Sequence, residues 1–314
     1  MNYLSPLEML YKWERVKENE IYLSQPINGV WHNWTWREVG EEVRKMAAYL
    51  QSLNLPKQSK VGVLSKNCAH WIMSDLAIMM AGHTSVPLYP NLSSDTLNKI
   101  LIHSETKVLF VGKLDNFEVM QPGIPADMPC ITYPFYSEDY PKWDDLTKDV
   151  PLLTDNVIRE KMELATIIYT SGTSGNPKGV VLSHGGILSN CEGAVELLET
   201  LIKIKDPIFL TWLPLSHSYE HTVQFIQIII GAKVFYAESL EKLISNMSIA
   251  QPTIMTAVPR FYQNLYTKIN INFEKQKGIK KKLINNTLKL GKKILRKENL
   301  NLIEKTLNFI CNIS

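Results

Sequence analysis

Tyr169-Thr170-Ser171-Gly172-Thr173-Ser174-Gly175-Asn176-Pro177-Lys178-Gly179 is the stretch on which the reading of this chain turns. An apolar run, Leu164-Ala165-Thr166-Ile167-Ile168, leads straight into it and reads as a strand. Val180-Val181-Leu182 follows, then Ser183-His184-Gly185-Gly186, which has the look of a helix start. Such a composition suits a backbone that must approach anionic oxygens. Glycine permits positive φ and close approach, and successive N–H groups can line one concavity. Ser and Thr hydroxyls add rotatable donors, and Lys178 adds a mobile point charge. A flexible Gly/Ser/Thr linker is the plain alternative, but linkers rarely follow a buried strand directly and end in Pro-Lys-Gly.

Two common phosphate-binding patterns fail here. The P-loop needs a second glycine where Pro177 stands and a Ser or Thr after Lys178. The dinucleotide fingerprint needs Gly-x-Gly-x-x-Gly at a helix start. The string Tyr-Thr-Ser-Gly-Thr-Ser-Gly-Asn-Pro-Lys-Gly instead resembles the phosphate-binding signature of the adenylate-forming (AMP-binding) ligases. On that resemblance Thr170, Ser171, Gly172, Thr173, Ser174, Gly175 and Lys178 bind the nucleotide, and Lys178 neutralises phosphate charge during the reaction.

Working outward, Lys60–Ser65, Val86–Pro90 and Lys107–Gly112 read as strands. Between them lie an apolar helix from Asn67 to Met80, closing at Ala81-Gly82, and a helix capped at Ser93-Ser94-Asp95. Strand–helix–strand alternation argues for a parallel sheet covered on both faces. Gly82-His-Thr-Ser-Val86-Pro87-Leu88-Tyr89-Pro90 resembles a second segment common in the same ligases. Nearer the N-terminus, Ser5-Pro6 opens a helix over 5–18, and Thr35 and Glu38 have capping-box spacing ahead of another. Trp31, Trp34 and Trp36 are taken as packing residues. The proline-dotted stretch 113–160 reads as a surface connection with up to two short strands.

After the loop a second βα series is expected. It has a helix over Gly185–Leu201, a strand from Ile208 running to His217, and a helix over Ser218–Ile230. Strands follow at 231–236 and 252–259, with helices at 239–247 and 260–269. The expected class is therefore α/β, the N-terminal part of the large domain of an adenylate-forming enzyme. Its two βα-layered subdomains would have mostly parallel sheets, residues 1–180 ending in the phosphate loop and residues 181–314 forming an incomplete second part with a basic helical tail.

Composition sets bounds on function. With 314 residues, 45% hydrophobic and 21% charged, the chain can bury a sizeable core, and a net charge of +3 does not mark a nucleic-acid binder. Cys68, Cys130, Cys191 and Cys311 lie far apart with no Cys-x-x-Cys pair, which fits a reducing cytoplasm rather than a disulfide framework or zinc ribbon. Charges at Glu8, Lys12, Glu14 and Arg15 argue against a signal peptide, and no apolar run approaches the ~20 residues of a membrane span.

Trp212-Leu-Pro-Leu-Ser-His217-Ser-Tyr-Glu220-His221 ends a strand, where ligands of open α/β sheets bind. It resembles a segment of the acyl-CoA branch of the family, closest to its bacterial long-chain members. On that resemblance His217 lines the acyl and adenylate pocket. His221 stands where many long-chain relatives carry arginine, and its role is open. A Ser216–His217–Glu220 triad is sterically implausible, because triad partners converge from separate elements. Residues 275–297 hold ten Lys or Arg and no acid, with Ile279, Leu283, Leu290 and Ile294 at helical spacing. Two readings stay open, a solvated helix face and a peripheral contact with an anionic membrane. Nucleic acid is disfavoured, because no aromatic residue interleaves with the lysines.

Taken together, the resemblance implies a long-chain fatty-acid–CoA ligase using ATP, coenzyme A and Mg2+, cytoplasmic or peripheral to the inner face of the membrane. The family's Tyr-Gly-x-Thr-Glu segment, ribose-binding aspartate, hinge and lid lysine are not found before Ser314. The expectation is thus an N-terminal portion without the lid domain, inactive alone, with its magnesium ligand elsewhere. The alternatives are an adenylation domain for another carboxylic acid, or a non-catalytic nucleotide-binding remnant. Peptide-synthetase relatives usually place an aspartate soon after the element that Leu-Ser-His replaces, and Ser218 and Tyr219 offer none.

Overall fold

The computed structural model describes residues 4–136, 139–170, 177–201 and 205–297. The chain divides into two compact units, Met1–Thr256 and Ala257–Ser314. The first contains α1 (Pro6–Val16), β1 (Ile21–Ile27), β2 (Val30–Thr35), α2 (Trp36–Ser52), β3 (Lys60–Leu64), α3 (Ala69–Ala81), β4 (Thr84–Leu88), α4 (Ser94–His103) and β5 (Thr106–Val111). It continues through α5 (Phe117–Met120), β6 (Cys130–Thr132), α6 (Trp143–Thr147), β7 (Leu164–Thr170), β8 (Lys178–Ser183) and α7 (His184–Leu201). It closes with β9 (Ile208–Thr211), α8 (Ser218–Ile229), β10 (Lys233–Tyr236) and α9 (Leu243–Ala250). The second unit contains α10 (Pro259–Glu274) and α11 (Gly278–Leu295).

The strands form two mixed, mostly parallel sheets. One has six strands in the order β6-β5-β3-β4-β7-β8, with only β8 antiparallel to its neighbour. The other has four, β2-β1-β10-β9, with β1, β10 and β9 parallel and β2 antiparallel. The expected α/β class and mostly parallel sheets are therefore present.

Local chemistry explains where the elements begin and end. Ser5 and Glu8, and again Thr35 and Glu38, form reciprocal capping boxes at the starts of α1 and α2. Gly82 ends α3 at φ 88°, the left-handed conformation that glycine adopts without a Cβ clash. The β1–β2 hairpin is not among the elements expected from sequence. Its turn, Asn28-Gly29, has positive φ at both residues (50° and 79°), as a two-residue hairpin requires. That dipeptide is a strong local signal; the proline at 26, inside β1, obscures the strand. Trp36 is buried and stacks on Tyr22 with ring centroids 3.7 Å apart, as its packing role predicts.

Two expectations change. No ladder strand forms over 252–259. Thr253 and Ile254 both donate their N–H to the Ile208 carbonyl, and the Thr253 hydroxyl takes the Ile208 N–H, so the segment is pinched against β9 at one point. Stretch 113–160 is not only a surface connection either. Ile131, Tyr133 and Trp143 are fully or almost fully buried, because their aromatic and branched side chains extend the core beside β5 and α2.

The core centres on α3. From Ala69 to Met80 every residue is buried, and the helix packs against α2, β1, β3 and β4. A helix apolar on all sides needs such an enclosed position. Its three polar side chains are handled differently. Ser74 bonds the Tyr133 hydroxyl at 2.7 Å, burial pushes His70 down to a pKa of about 3 and keeps it neutral, and Asp75 meets His221.

Candidate active site at the strand ends

Parallel strands end together, so each sheet presents its loops on one edge. A cleft of about 890 Å³ in the first unit collects loops from both sheets. Ser65, Lys66 and Asn67 follow β3, Tyr89 to Leu92 follow β4, and Lys113 and Asp115 follow β5. From the second sheet come Trp212, Pro214 and Ser216 after β9, and Ala237 to Glu241 after β10.

Specific bonds hold the two sides together. Asn67 donates from Nδ2 to the Leu213 carbonyl at 2.6 Å and accepts the Leu215 N–H on Oδ1 at 3.0 Å. One amide therefore clamps the turn that carries Trp212-Leu-Pro-Leu-Ser-His217. Lys113 Nζ donates to the Glu238 carbonyl at 2.9 Å, and burial lowers its pKa from the ordinary value. Lys66 pairs with Asp115 at the mouth.

The residues of the phosphate loop are placed as follows. Thr170 ends β7, is exposed, and pairs in antiparallel register with Lys178, the first residue of β8, which is also exposed. The strand before the loop and the strand after it pair antiparallel, and the end of the ladder next to residues 171–177 holds a hydroxyl and a cation side by side. β7 runs parallel to β4 with Thr166 opposite Ser85, so Thr170 lies on the edge where Tyr89 enters the cleft. Ser171, Gly172, Thr173, Ser174 and Gly175 lie outside the described residues. Gly179 follows closely over the β7 side chains, where an added Cβ would come within 2.8 Å of Ile167.

His217 is exposed and sits at the N-cap of α8, with Nδ1 accepting the Tyr219 N–H at 3.2 Å. Its neighbour Ser216 lines the cleft, whereas neither His217 nor Lys178 does. No hydrogen bond joins Ser216, His217 and Glu220. Glu220 turns inward, is buried, and accepts the Thr256 hydroxyl at 2.8 Å. Thr256 in turn receives the Trp212 indole N–H on its carbonyl at 2.8 Å. Burial raises Glu220 to a pKa of about 7, and the Thr256 hydrogen bond offsets only part of that.

Nothing local in the sequence marks Lys113 or the Glu220–Thr256 pair as site residues. Asn67 offers a faint cue, a polar residue directly after a strand end and before a helix. The others depend on partners far along the chain.

The model of the AMP-binding enzyme family matches residues 12–298. This chain belongs to that family. Long chain acyl-CoA synthetase 4 of Arabidopsis thaliana is 30% identical over 273 residues, covering 79% of this chain and 40% of the relative. Fatty acyl-CoA synthetase A of Dictyostelium discoideum is 26% identical over 269 residues, covering 81% and 40%. The chain thus spans about 40% of the length of these curated relatives. Among solved structures, the anthranilate CoA ligase complexed with anthranoyl-AMP aligns with a TM-score of 0.71 at 20% identity, over 83% of this chain and 51% of that one. The o-succinylbenzoate CoA synthetase of Bacillus subtilis, with its acyl-adenylate intermediate, gives 0.67 at 20%, over 85% and 51%. At that identity the AMP-binding likeness to these two is one of fold.

Proposed function

We propose that this AMP-binding chain serves the ATP-dependent activation of a long-chain fatty acid, first to an acyl-adenylate and then to an acyl-CoA thioester. In the first step a carboxylate oxygen bonds to the α-phosphorus and pyrophosphate leaves with its bond pair. In the second the coenzyme A thiol gives up its proton, its sulfur bonds to the acyl carbon, and AMP leaves with the acyl carbon–oxygen bond pair. When bound, ATP supplies the electrophilic phosphorus.

The observation that carries the reading is the pairing of exposed Thr170 with exposed Lys178 at the end of the β7–β8 ladder next to residues 171–177. The carboxylate and the polyphosphate are both anions, so their approach needs positive charge and oriented donors. Lys178, Thr170 and the loop 171–175 supply these in this proposal, residues 1–180 forming the phosphate-gripping part. Residues 181–314 bring His217 to the acyl side, held at the N-cap of α8. Among the described residues no group of three or more His, Cys, Asp or Glu side chains gathers to hold a metal ion, and no step is assigned to magnesium. The long-chain substrate is suggested by relatives named as long-chain or fatty acyl-CoA synthetases. Such acids partition into lipid, so the same proposal has the protein act in the cytoplasm at or near the inner face of a membrane.

Acid-dependent exchange of labelled pyrophosphate into ATP tests the proposal, run on residues 1–314 completed with the remaining length of a curated relative, with acids from acetate to stearate and with anthranilate. Exchange rising with alkyl length supports it. Exchange with aryl or amino acids only would establish the alternative adenylation reading, and nucleotide binding without exchange the non-catalytic one.

A further inference from the structure

In the second unit α11 is amphipathic along its whole length. At about 100° per residue, Lys281, Lys282, Lys289, Lys292, Lys293 and Arg296 fall within an arc of about 120°. Ile279, Leu283, Ile284, Leu288, Leu290, Ile294 and Leu295 occupy the opposite half, with Lys280 and Thr287 between them. A helix that merely displays a charged face to water buries its apolar half. Here Leu290 alone of that half is buried, at 4%, while Ile279 is 81% exposed, Leu295 85% and Ile294 46%. Between α10 and α11 an apolar groove of about 290 Å³, lined by Phe273, Leu283, Ile284 and Leu288, stays open. No acidic side chain lies between residues 275 and 297.

We propose that α11 docks this protein on an anionic lipid surface. Lysine stems are long enough to lie beside buried apolar neighbours while their ammonium groups reach phosphate headgroups. Ile279 and Leu295 then enter the headgroup–acyl boundary, where exposed apolar surface is an asset rather than a cost. The charge arc matches a surface of repeated phosphates, and the apolar arc matches only a surface with hydrocarbon beneath it. A nucleic acid satisfies the first and leaves the leucines and isoleucines in water, and α11 carries no aromatic ring to stack on bases. Among the described residues no helix is long and apolar enough to cross a membrane, so the contact is peripheral.

The inference stands apart from the ligase reading, since vesicle binding requires neither ATP nor acid. The test is co-sedimentation of the full 314-residue chain with vesicles of phosphatidylglycerol and phosphatidylcholine in equal parts, and with phosphatidylcholine alone. Binding to the anionic vesicles alone is expected, weakening steeply as salt rises from about 0.1 M to about 0.5 M. The combined Lys281→Gln, Lys282→Gln, Lys289→Gln and Lys292→Gln variant should partition on the order of 10²-fold less. Ile279→Ser with Leu295→Ser should lose about tenfold or more. Both variants change exposed positions, and unchanged far-UV circular dichroism establishes that they fold. Equal binding to the zwitterionic vesicles, unchanged partition of the lysine variant, or tight retention on duplex DNA without vesicle binding would each overturn the proposal.

Discussion

His221 Nε2 on α8 lies 2.8 Å from Asp75 Oδ2 on α3, a pair 146 residues apart in sequence and buried on both sides. Asp75 is 0% and His221 2% exposed, and His221 also stacks edge-on against Trp71. The pair ties the helix at the centre of the core to the helix that begins at His217. Removing one partner leaves the other without its bond in a dry setting. His221→Ala should therefore cost about 3 kcal/mol of unfolding free energy. A double-mutant cycle with Asp75→Asn, read by urea denaturation, should return a coupling well above the scatter of distant sites, about 0.5 kcal/mol. Strict additivity would show that the contact is incidental.

Glu220 makes stability depend on pH with a definite sign. Burial raises its folded pKa from the ordinary 4.5 to about 7. Between those values the folded state holds a proton that the unfolded state has lost, so stability falls as pH rises through that window. The contribution is fully present below pH 4.5 and is lost by the time pH passes about 7, amounting to roughly 3 kcal/mol. Glu220→Gln keeps the oxygen that accepts from Thr256 and cannot ionise. Its stability relative to wild type should climb by about that amount from pH 5 to pH 8, as followed by denaturant melts. A constant difference across the range would remove Glu220 as the cause.

Asn67 predicts a different pattern, because its amide both donates and accepts. Asn67→Ala loses both bonds to the Leu213–Leu215 turn and should lower stability by about 2 kcal/mol. Asn67→Asp keeps the acceptor for the Leu215 N–H but sets a carboxylate against the Leu213 carbonyl. Aspartate should thus be at least as damaging as alanine in thermal melts, despite its closer shape. A near-neutral Asn67→Asp would mean that the turn does not depend on the donated bond.

Lys178 is exposed, so its replacement should hardly touch folding. Lys178→Ala should leave the unfolding midpoint within about 0.5 kcal/mol of wild type. In the pyrophosphate exchange assay it should lower the rate on the order of 10²–10³-fold, the usual cost of one lost electrostatic contact to a developing charge. Equal exchange rates would exclude this cation from the chemistry.

Much of the local structure was legible because it is written in neighbouring residues. Thr35 and Glu38 cap α2 through bonds three residues apart, and Gly82 closes α3 by its own backbone freedom. The hydrophobic run before Tyr169 forms β7, and the hydroxyl- and glycine-rich stretch after it marked the candidate site and the family. The amphipathic pattern of 279–294 likewise required no more than the helical period.

Tertiary structure decided what neighbours cannot specify. β1 pairs with β10, Leu23 opposite Val234, so the second sheet is assembled from the two ends of the first unit. Asn67 becomes a clamp only because β3 and β9 end at the same cleft. Glu220 is pushed towards neutrality only because α8 turns it inward onto Thr256, while His217, one turn earlier, stays in water. The physical reason is common to all three. A capping bond or a helical repeat is set by residues a few positions apart. A buried carboxylate's pKa or a cross-sheet amide bond is set instead by whatever the collapse of the whole core brings within 3 Å, and that depends on every apolar side chain at once.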